Sequence, residues 1–198
     1  TSASGTITIT DSSDNAAIIY VDHSSGAASN YGGLIGKYNA CDLVGTLLID
    51  DVSVNVELSD GSYANYGGGI GETSGIRSNV DSNAVYVKFD DFQAAAAGGN
   101  DVATAVYGGL VAISHNAFID AKDVTVTSAD NFYGGGVIGR MEDGVLRLSG
   151  TTDLTGGYAQ SSNQYYYEGQ IVGGRDNALI FAEYDSTSTR QWVLKRST

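Results

Sequence analysis

The 198-residue chain contains no proline, a single cysteine and only ten lysine and arginine residues. Because each proline removes a backbone hydrogen-bond donor, a chain without proline suits a structure built mostly from β-sheet. The lone Cys41 excludes a disulfide bond within the chain, and we interpret it as a buried, unreactive thiol. No apolar run reaches the length of a membrane-spanning helix, so the sequence predicts no insertion into a membrane.

The few basic residues are outnumbered by 23 aspartate and glutamate residues, which gives a net charge of −13 and an isoelectric point of about 4.2. Such a surface repels the phosphates of nucleic acids and the headgroups of anionic membranes, so neither is an expected partner. The acidity suits a soluble exported protein and leaves room for cation binding. With 42% apolar residues, the chain has enough apolar side chains to form the core of one domain.

Tyrosine and glycine carry the strongest pattern in the sequence. Five times a tyrosine introduces a short glycine-rich apolar segment, and these tyrosines are 35, 41, 26 and 34 residues apart. A unit that recurs at such a period usually buries its apolar face only by stacking on copies of itself, so the spacing predicts a repeat architecture. The five segments span residues 31–36, 66–71, 107–112, 133–139 and 167–173.

Two other kinds of segment lie between the glycine-rich ones. The first kind starts with Asn or Asp and a small residue and continues as an apolar strand, at residues 15–20, 39–44, 83–87, 116–119, 143–146 and 177–181. The second kind alternates β-branched and polar residues, as at 52–58. Alternation with a period of two predicts β-strands with one buried face. The alanine run at 94–97 precedes two glycines, and we interpret it as a loop insertion that lengthens one repeat.

Three short strands in each repeat, about six repeats and no helical periodicity predict an all-β, single-domain parallel β-solenoid. In that fold each strand pairs with its equivalent in the next coil. We assign the solenoid to residues 1–189 and a C-terminal cap or tail to residues 190–198, where Trp192 would cover the last coil. A β-sandwich is the architectural alternative, because alternating strands fit it as well.

The corners of the coils are assigned to two residue types. Asn tolerates the left-handed conformation that a sharp corner needs, and Gly accepts either that conformation or a close backbone approach. We expect the tyrosine beside each glycine pair to stack on its equivalents. The predicted corners are Gly32, Gly33, Gly67, Gly68, Gly108, Gly109, Gly134, Gly135, Asn39, Asn83, Asn116 and Asn177.

The glycine-rich segments, with the pattern Tyr-Gly-Gly-(Leu/Gly)-(Ile/Val)-Gly, resemble the GLUG-type repeats of bacterial surface proteins. The interleaved Asn-Ala strands resemble those of right-handed parallel β-helix proteins. The resemblance covers about residues 6–184. It implies an exported, adhesin-like module that is extracellular or attached to the cell surface.

Few residues point to catalysis. The acid pairs at 50–51 and 90–91 follow apolar strands, so we assign them to corners, and they give only a weak signal for Ca²⁺, the one cofactor considered. The two histidines, His23 and His115, are too few for a typical metal site. The pectin-acting β-helix hydrolases use an Asp-Asp, a Gly-His-Gly and an Arg-Ile-Lys, and this chain has only the first of these motifs.

A cluster of tyrosines is the predicted contact platform, since such rings stack on sugars or contact proteins. It consists of Tyr158, Tyr165, Tyr166 and Tyr167. Repetition without a convergent reactive set favours a non-enzymatic structural or adhesive module whose partner is a cell-surface glycan or protein. One alternative is a carbohydrate-binding or polysaccharide-degrading β-helix domain. The other is a subunit of an extracellular fibre that associates end to end.

Overall fold

The structure of the chain is a computed structural model that describes residues 5–10, 17–21, 29–39, 45–58, 64–75, 85–98, 106–132, 134–158, 168–169 and 171–182. These residues form an all-β fold without helices, and its parallel strands curl into a half-barrel. The all-β prediction is therefore confirmed. The strands are β1 (Gly5–Thr10), β2 (Ala17–Val21), β3 (Ser29–Gly32), β4 (Ile35–Asn39), β5 (Gly45–Leu58), β6 (Ala64–Gly67), β7 (Ile70–Ser74), β8 (Val85–Gly98), β9 (Tyr107–Gly108), β10 (Val111–His115), β11 (Ala117–Phe132), β12 (Gly134–Gly135), β13 (Ile138–Tyr158), β14 (Glu168–Gly169) and β15 (Val172–Ala182).

The strands form two sheets in which every pairing is parallel. The larger sheet runs in the order β1-β5-β8-β11-β13-β10-β7-β4, with β15 beside β13 and β2 beside β5. The smaller sheet has the order β14-β12-β9-β6-β3. The β-sandwich alternative requires antiparallel sheets, so these pairings do not fit it.

Each long strand pairs with its counterpart from the next repeat, with register shifts in the β11–β13 pair, and side chains at equivalent positions form columns. One inward column is apolar throughout and consists of Ile7, Leu47, Val87, Ile119, Leu146 and Ile180. Its four central members are at most 2% exposed. In the second half of β5, the predicted alternation places Val52, Val54 and Val56 in the core. The core is thus a stack of apolar layers contributed by successive repeats.

Two corners of the repeat use residues with a left-handed backbone. At the first corner, φ is 46° at Asn116, 48° at Asp143 and 48° at Asn177, and the strand register makes these positions equivalent. At the second corner, φ is 53°, 49° and 51° at Asp51, Asp91 and Asp123. Asn and Asp adopt this conformation more readily than other residues with a side chain, because their short polar side chains bond locally. The positive φ at Asp51 and Asp91 agrees with the assignment of the acid pairs at 50–51 and 90–91 to corners.

The glycine pairs are required mainly by close packing. An ideal Cβ on Gly68 would lie 2.1 Å from the carbonyl oxygen of Gly109 and 2.7 Å from Cβ of Ala94. On Gly67 it would lie 1.8 Å from the carbonyl oxygen of Ile70. Among the described glycines, only Gly134 and Gly150 have a positive φ. Glycine was assigned to these corners for two reasons, a left-handed conformation and a close approach of backbones. The close approach applies to the glycine pairs in general, whereas among the predicted corner glycines only Gly134 has a positive φ.

The predicted loop at 94–97 is wrong, because these alanines belong to strand β8. Ala94 is 3% exposed and lies in register between Val54 and Val126. An ideal Cβ on Gly68 would lie 2.7 Å from Cβ of Ala94, so the glycine segment packs directly on this strand. The extra residues of this longer repeat lie instead between β7 and β8. Ten residues, 75–84, separate these two strands, whereas Asn116 alone separates β10 from β11.

Two predicted equivalences are shifted by one residue. The repeat pattern makes residue 133 the equivalent of Tyr107, but Tyr107 pairs with Gly134, and an ideal Cβ on Gly134 would lie 1.9 Å from the carbonyl oxygen of Tyr107. Asn39 pairs with Ser74 and is therefore equivalent to His115, one position before the Asn116 corner. The predicted tyrosine stack is seen for Tyr31 and Tyr66, whose ring centroids are 5.5 Å apart.

Several predictions fall on residues outside the described ranges. These are the corner at Asn83, the inert Cys41 and the cap at 190–198 with Trp192. Within the described residues, the structure has no helix of the length and apolarity needed to cross a membrane.

Candidate functional site

A row of charged and polar side chains crosses four strands on the outside of the larger sheet. It has two adjacent columns, which alternate with the inward positions Tyr38, Thr73, Ser114 and Met141. We call it the charged row; Ile113 interrupts its first column between Glu72 and Arg140, and its charged and polar members are Lys37, Glu72, Arg140, Asn39, Ser74, His115 and Glu142. The strand register brings these residues together from segments more than a hundred positions apart in the sequence.

Glu142 is the centre of the charged row. It is 8% exposed, and its carboxylate binds two cationic or potentially cationic side chains. His115 Nδ1 donates to Oε2 at 2.9 Å, and Arg140 pairs with Oε1. The backbone carbonyl of Glu142 accepts a further hydrogen bond from Asn116 N–H at 2.8 Å. A buried carboxylate with this many partners fixes the corner of the repeat and the orientation of the imidazole.

Glu72 forms the second cluster of the charged row. Lys37 Nζ lies 2.8 Å from Oε1, and the Asn30 amide donates to Oε2. The Asn65 amide in turn donates to Asn30 Oδ1 at 2.8 Å, and Asn65 Oδ1 accepts from Val106 N–H at 3.3 Å. The result is a short ladder of amides beside the tyrosine stack. We did not predict this ladder, although the repeated Asn-Tyr-Gly-Gly at 30–33 and 65–68 is its signal in the sequence.

The aspartate corner carries a separate ionic cluster. Asp90 is bound by Lys88 at 2.8 Å and by Lys122 at 3.2 Å, and Lys122 also lies 3.1 Å from Asp123. The hydrogen bond from Lys88 is the main cause that holds the pKa of Asp90 below its usual 3.8. The pKa of Asp123 is also lowered, chiefly by a hydrogen bond from Thr151 N–H. Asp123 was missed in the sequence because no second acid marks its corner.

An exposed apolar row runs along the outside of the same sheet. Tyr86 and Phe118 stack with ring centroids 5.7 Å apart, and the register continues through Val145 to Leu179. With Phe181, two residues further along β15, these side chains form what we call the aromatic row. Tyr86, Leu179 and Phe181 are 41%, 59% and 58% exposed. Most of the large hydrophobic side chains exposed in the described ranges thus share one surface, which is typical of a contact site.

The predicted tyrosine platform is only partly within the described residues. Tyr158 ends strand β13, where its backbone pairs with Phe132, whereas Tyr165, Tyr166 and Tyr167 lie outside the described ranges. The aromatic row is a second candidate platform that we did not predict. Its members come from different repeats and only the strand register aligns them.

The described residues contain no group of three or more His, Cys, Asp or Glu side chains arranged to hold a metal ion. The carboxylates of Glu142, Glu72 and Asp90 are each bound to cationic side chains of the chain itself. The charged row therefore presents groups that can form hydrogen bonds with a partner, and the aromatic row presents rings on which a partner can stack. No protein-family model, curated protein or solved structure matches the chain.

Proposed function

We propose that the chain is a parallel, right-handed β-solenoid with about six coils that serves as a non-enzymatic structural or adhesive module of a bacterial surface protein. The in-register pairing of equivalent segments supports the proposal, because it turns a repeated sequence into continuous rows of side chains. A stiff scaffold that presents such rows binds through many weak contacts at once. The extracellular location and the GLUG-like character rest on the resemblance of the sequence.

The exposed aromatic row is the observation that carries the adhesive role. A cell-surface glycan or protein would contact Tyr86, Phe118 and Leu179 on one face of the sheet. The acidic surface of the molecule keeps it soluble while this apolar surface remains exposed.

Binding to cell surfaces tests the proposal directly. The 198-residue chain, labelled at its N-terminus, is titrated onto intact bacterial cells, isolated cell walls and extracellular matrix. We expect saturable binding above that of an unrelated protein of equal size and charge. Binding to none of these surfaces would contradict the adhesive role. Release of reducing or unsaturated sugars from acidic polysaccharides, with or without Ca²⁺, would contradict the non-enzymatic role.

The fibre alternative has one specific observation in its favour. Ile7 belongs to an inward apolar column, yet it is 60% exposed, whereas its partner Leu47 is 1% exposed. A second copy stacked on β1 would cover Ile7. Light scattering at rising protein concentration should then show growing particles, and Ile7→Lys should abolish that growth. Particles of constant size would exclude the fibre.

A further inference from the structure

The aromatic row ends abruptly between strands β8 and β5. On one side, the ring of Tyr86 stacks on Phe118 at 5.7 Å with an interplanar angle of 30°. On the other side, its register partner is Thr46, which has no ring, and the partner of Thr46 on β1 is Thr6. The stack therefore stops at Tyr86, and the ring face directed toward β5 is not covered by the next member of its own column.

This interruption leaves a position without a ring beside Tyr86, one strand spacing or about 4.8 Å away. We call it the Tyr86 notch: the Tyr86 ring is its wall, and Thr46 lies at its base. Tyr86 is 41% exposed, so its ring is accessible to solvent. Thr6 and Thr8 are both exposed on the neighbouring strand β1. A flat ring placed in the notch would continue the existing stack by one position.

The groups around the notch define the chemistry of such a ring. Thr46 and Thr6 supply hydroxyl groups that both donate and accept hydrogen bonds. Lys88, two residues after Tyr86 on the same face, directs its ammonium group to Asp90 Oδ2 at 2.8 Å, on the side away from Tyr86, so the hydroxyl groups of the two threonines are the polar groups of the notch. A ligand with one apolar face and a rim of hydroxyl groups matches an aromatic wall with polar groups at its edge.

We propose that the Tyr86 notch binds a neutral pyranose residue of a glycan, with the C–H face of the sugar on the Tyr86 ring and its hydroxyl groups toward Thr46 and Thr6. This inference rests on the proposed adhesive function and names its ligand. The net charge of −13 disfavours uronic acids and sulfated sugars. A stable protein–protein contact needs about 800 Å² on each partner, so a single-ring notch fits a sugar better than a folded protein.

Filling the notch is the decisive experiment. Cellohexaose, mannohexaose, xylohexaose and maltohexaose are titrated against the full chain, with saturation-transfer NMR to detect contacts to tyrosine. Thr46→Phe extends the stack into the notch, and Tyr86→Ala removes its wall. Each should weaken binding at least about tenfold. Thr46→Ser keeps the hydroxyl and the space, so its affinity should stay within about twofold of the parent.

Two controls test whether the Thr46→Phe variant folds like the parent and whether the notch prefers neutral sugars. Far-UV circular dichroism and the melting temperature of Thr46→Phe should match those of the parent, because the added ring lies on an outer face. Absence of binding to all four oligosaccharides, or undiminished binding by Thr46→Phe, overturns the inference. Tighter binding of oligogalacturonate than of the neutral sugars overturns the choice of a neutral ligand.

The adhesion assay separates the two proposals. If the chain binds cell surfaces and Thr46→Phe binds them equally well, the notch is not the glycan site but the adhesive function stands. If the parent chain binds neither cells nor oligosaccharides, both proposals fail. Loss of glycan binding and of cell binding in Thr46→Phe, but not in Thr46→Ser, supports both.

Discussion

The carboxylate of Asp123 accepts a hydrogen bond from the backbone N–H of Thr151 at a distance of 2.7 Å. The two residues are 28 positions apart and belong to neighbouring strands, β11 and β13. Gly150, which precedes Thr151, has a φ of 67°, and an ideal Cβ there would lie 2.3 Å from Asp123 Oδ1. The corner aspartate of one repeat thus fixes the backbone of the next, and glycine at 150 makes room for it.

Acid should destabilise this corner. The hydrogen bonds from Thr151 to Asp123 and from Lys88 to Asp90 hold the pKa of both carboxyls below their usual 3.8. A carboxyl whose pKa is lower in the folded state adds stability above its unfolded pKa and loses that contribution as the pH falls through its folded pKa. We expect the melting temperature to fall as the pH drops below about 4. The Asp90→Asn/Asp123→Asn variant should show a shallower fall, and parallel curves would contradict this role.

Glycine 68 should not tolerate a side chain. In Gly68→Ala the new Cβ would meet the carbonyl oxygen of Gly109, which is part of the backbone and has no room to shift. We expect a loss of about 1–3 kcal/mol in the free energy of unfolding, measured by urea titration. Gly36→Ala is the matched control, because its nearest neighbour, the carbonyl oxygen of Asn30, is 3.6 Å away. Equal stability of the two variants would show that close packing does not select glycine at 68.

The left-handed corner at Asp91 gives a third prediction. With φ at 49°, a residue whose side chain offers no local hydrogen bond is strained there. Asp91→Ala should be less stable than the parent and less stable than Asp91→Gly, by about 1–2 kcal/mol relative to the glycine variant. Thermal unfolding of the three proteins measures the difference. If alanine and glycine are equivalent at this position, the corner does not depend on φ.

Removal of a core ring should be costly. Phe92 is 0% exposed and packs edge to face on Phe89, with ring centroids 5.1 Å apart. Phe92→Ala should lower the free energy of unfolding by about 3–5 kcal/mol, because the cavity persists between fixed β-strands. Phe181→Ala removes the same ring from a side chain that is 58% exposed, and it should change stability by less than about 1 kcal/mol. A small effect at Phe92 would mean that the core collapses around the deletion.

The sequence predicted the all-β class and the burial of Val52, Val54 and Val56, because strand alternation is a local property. It misplaced the equivalents of Tyr107 and Asn116, since an offset of one residue is invisible until a partner strand fixes the register. Gly134 and Asn39 illustrate this error.

The described site residues were harder to predict than the strands. The contacts of Glu142 with His115 and Arg140 and the stack of Tyr86 on Phe118 join different repeats. The sequence around each of these residues does not indicate which residue of another repeat it contacts. The alanines at 94–97 were misread for a related reason: they belong to a strand because they pair with β5 and β11, which the run of alanines alone does not reveal.

The unequal lengths of the first corner have a practical consequence. His115 and Ala117 pair with Ser74 and Val85, although one residue joins the first two and ten residues join the second two. The pairing of the strands before and after this corner therefore does not depend on the length of the connection between them. Evolution can lengthen such a connection without rebuilding the core, and a protein engineer can graft a guest peptide in place of Asn116 while the surrounding strands keep their neighbours.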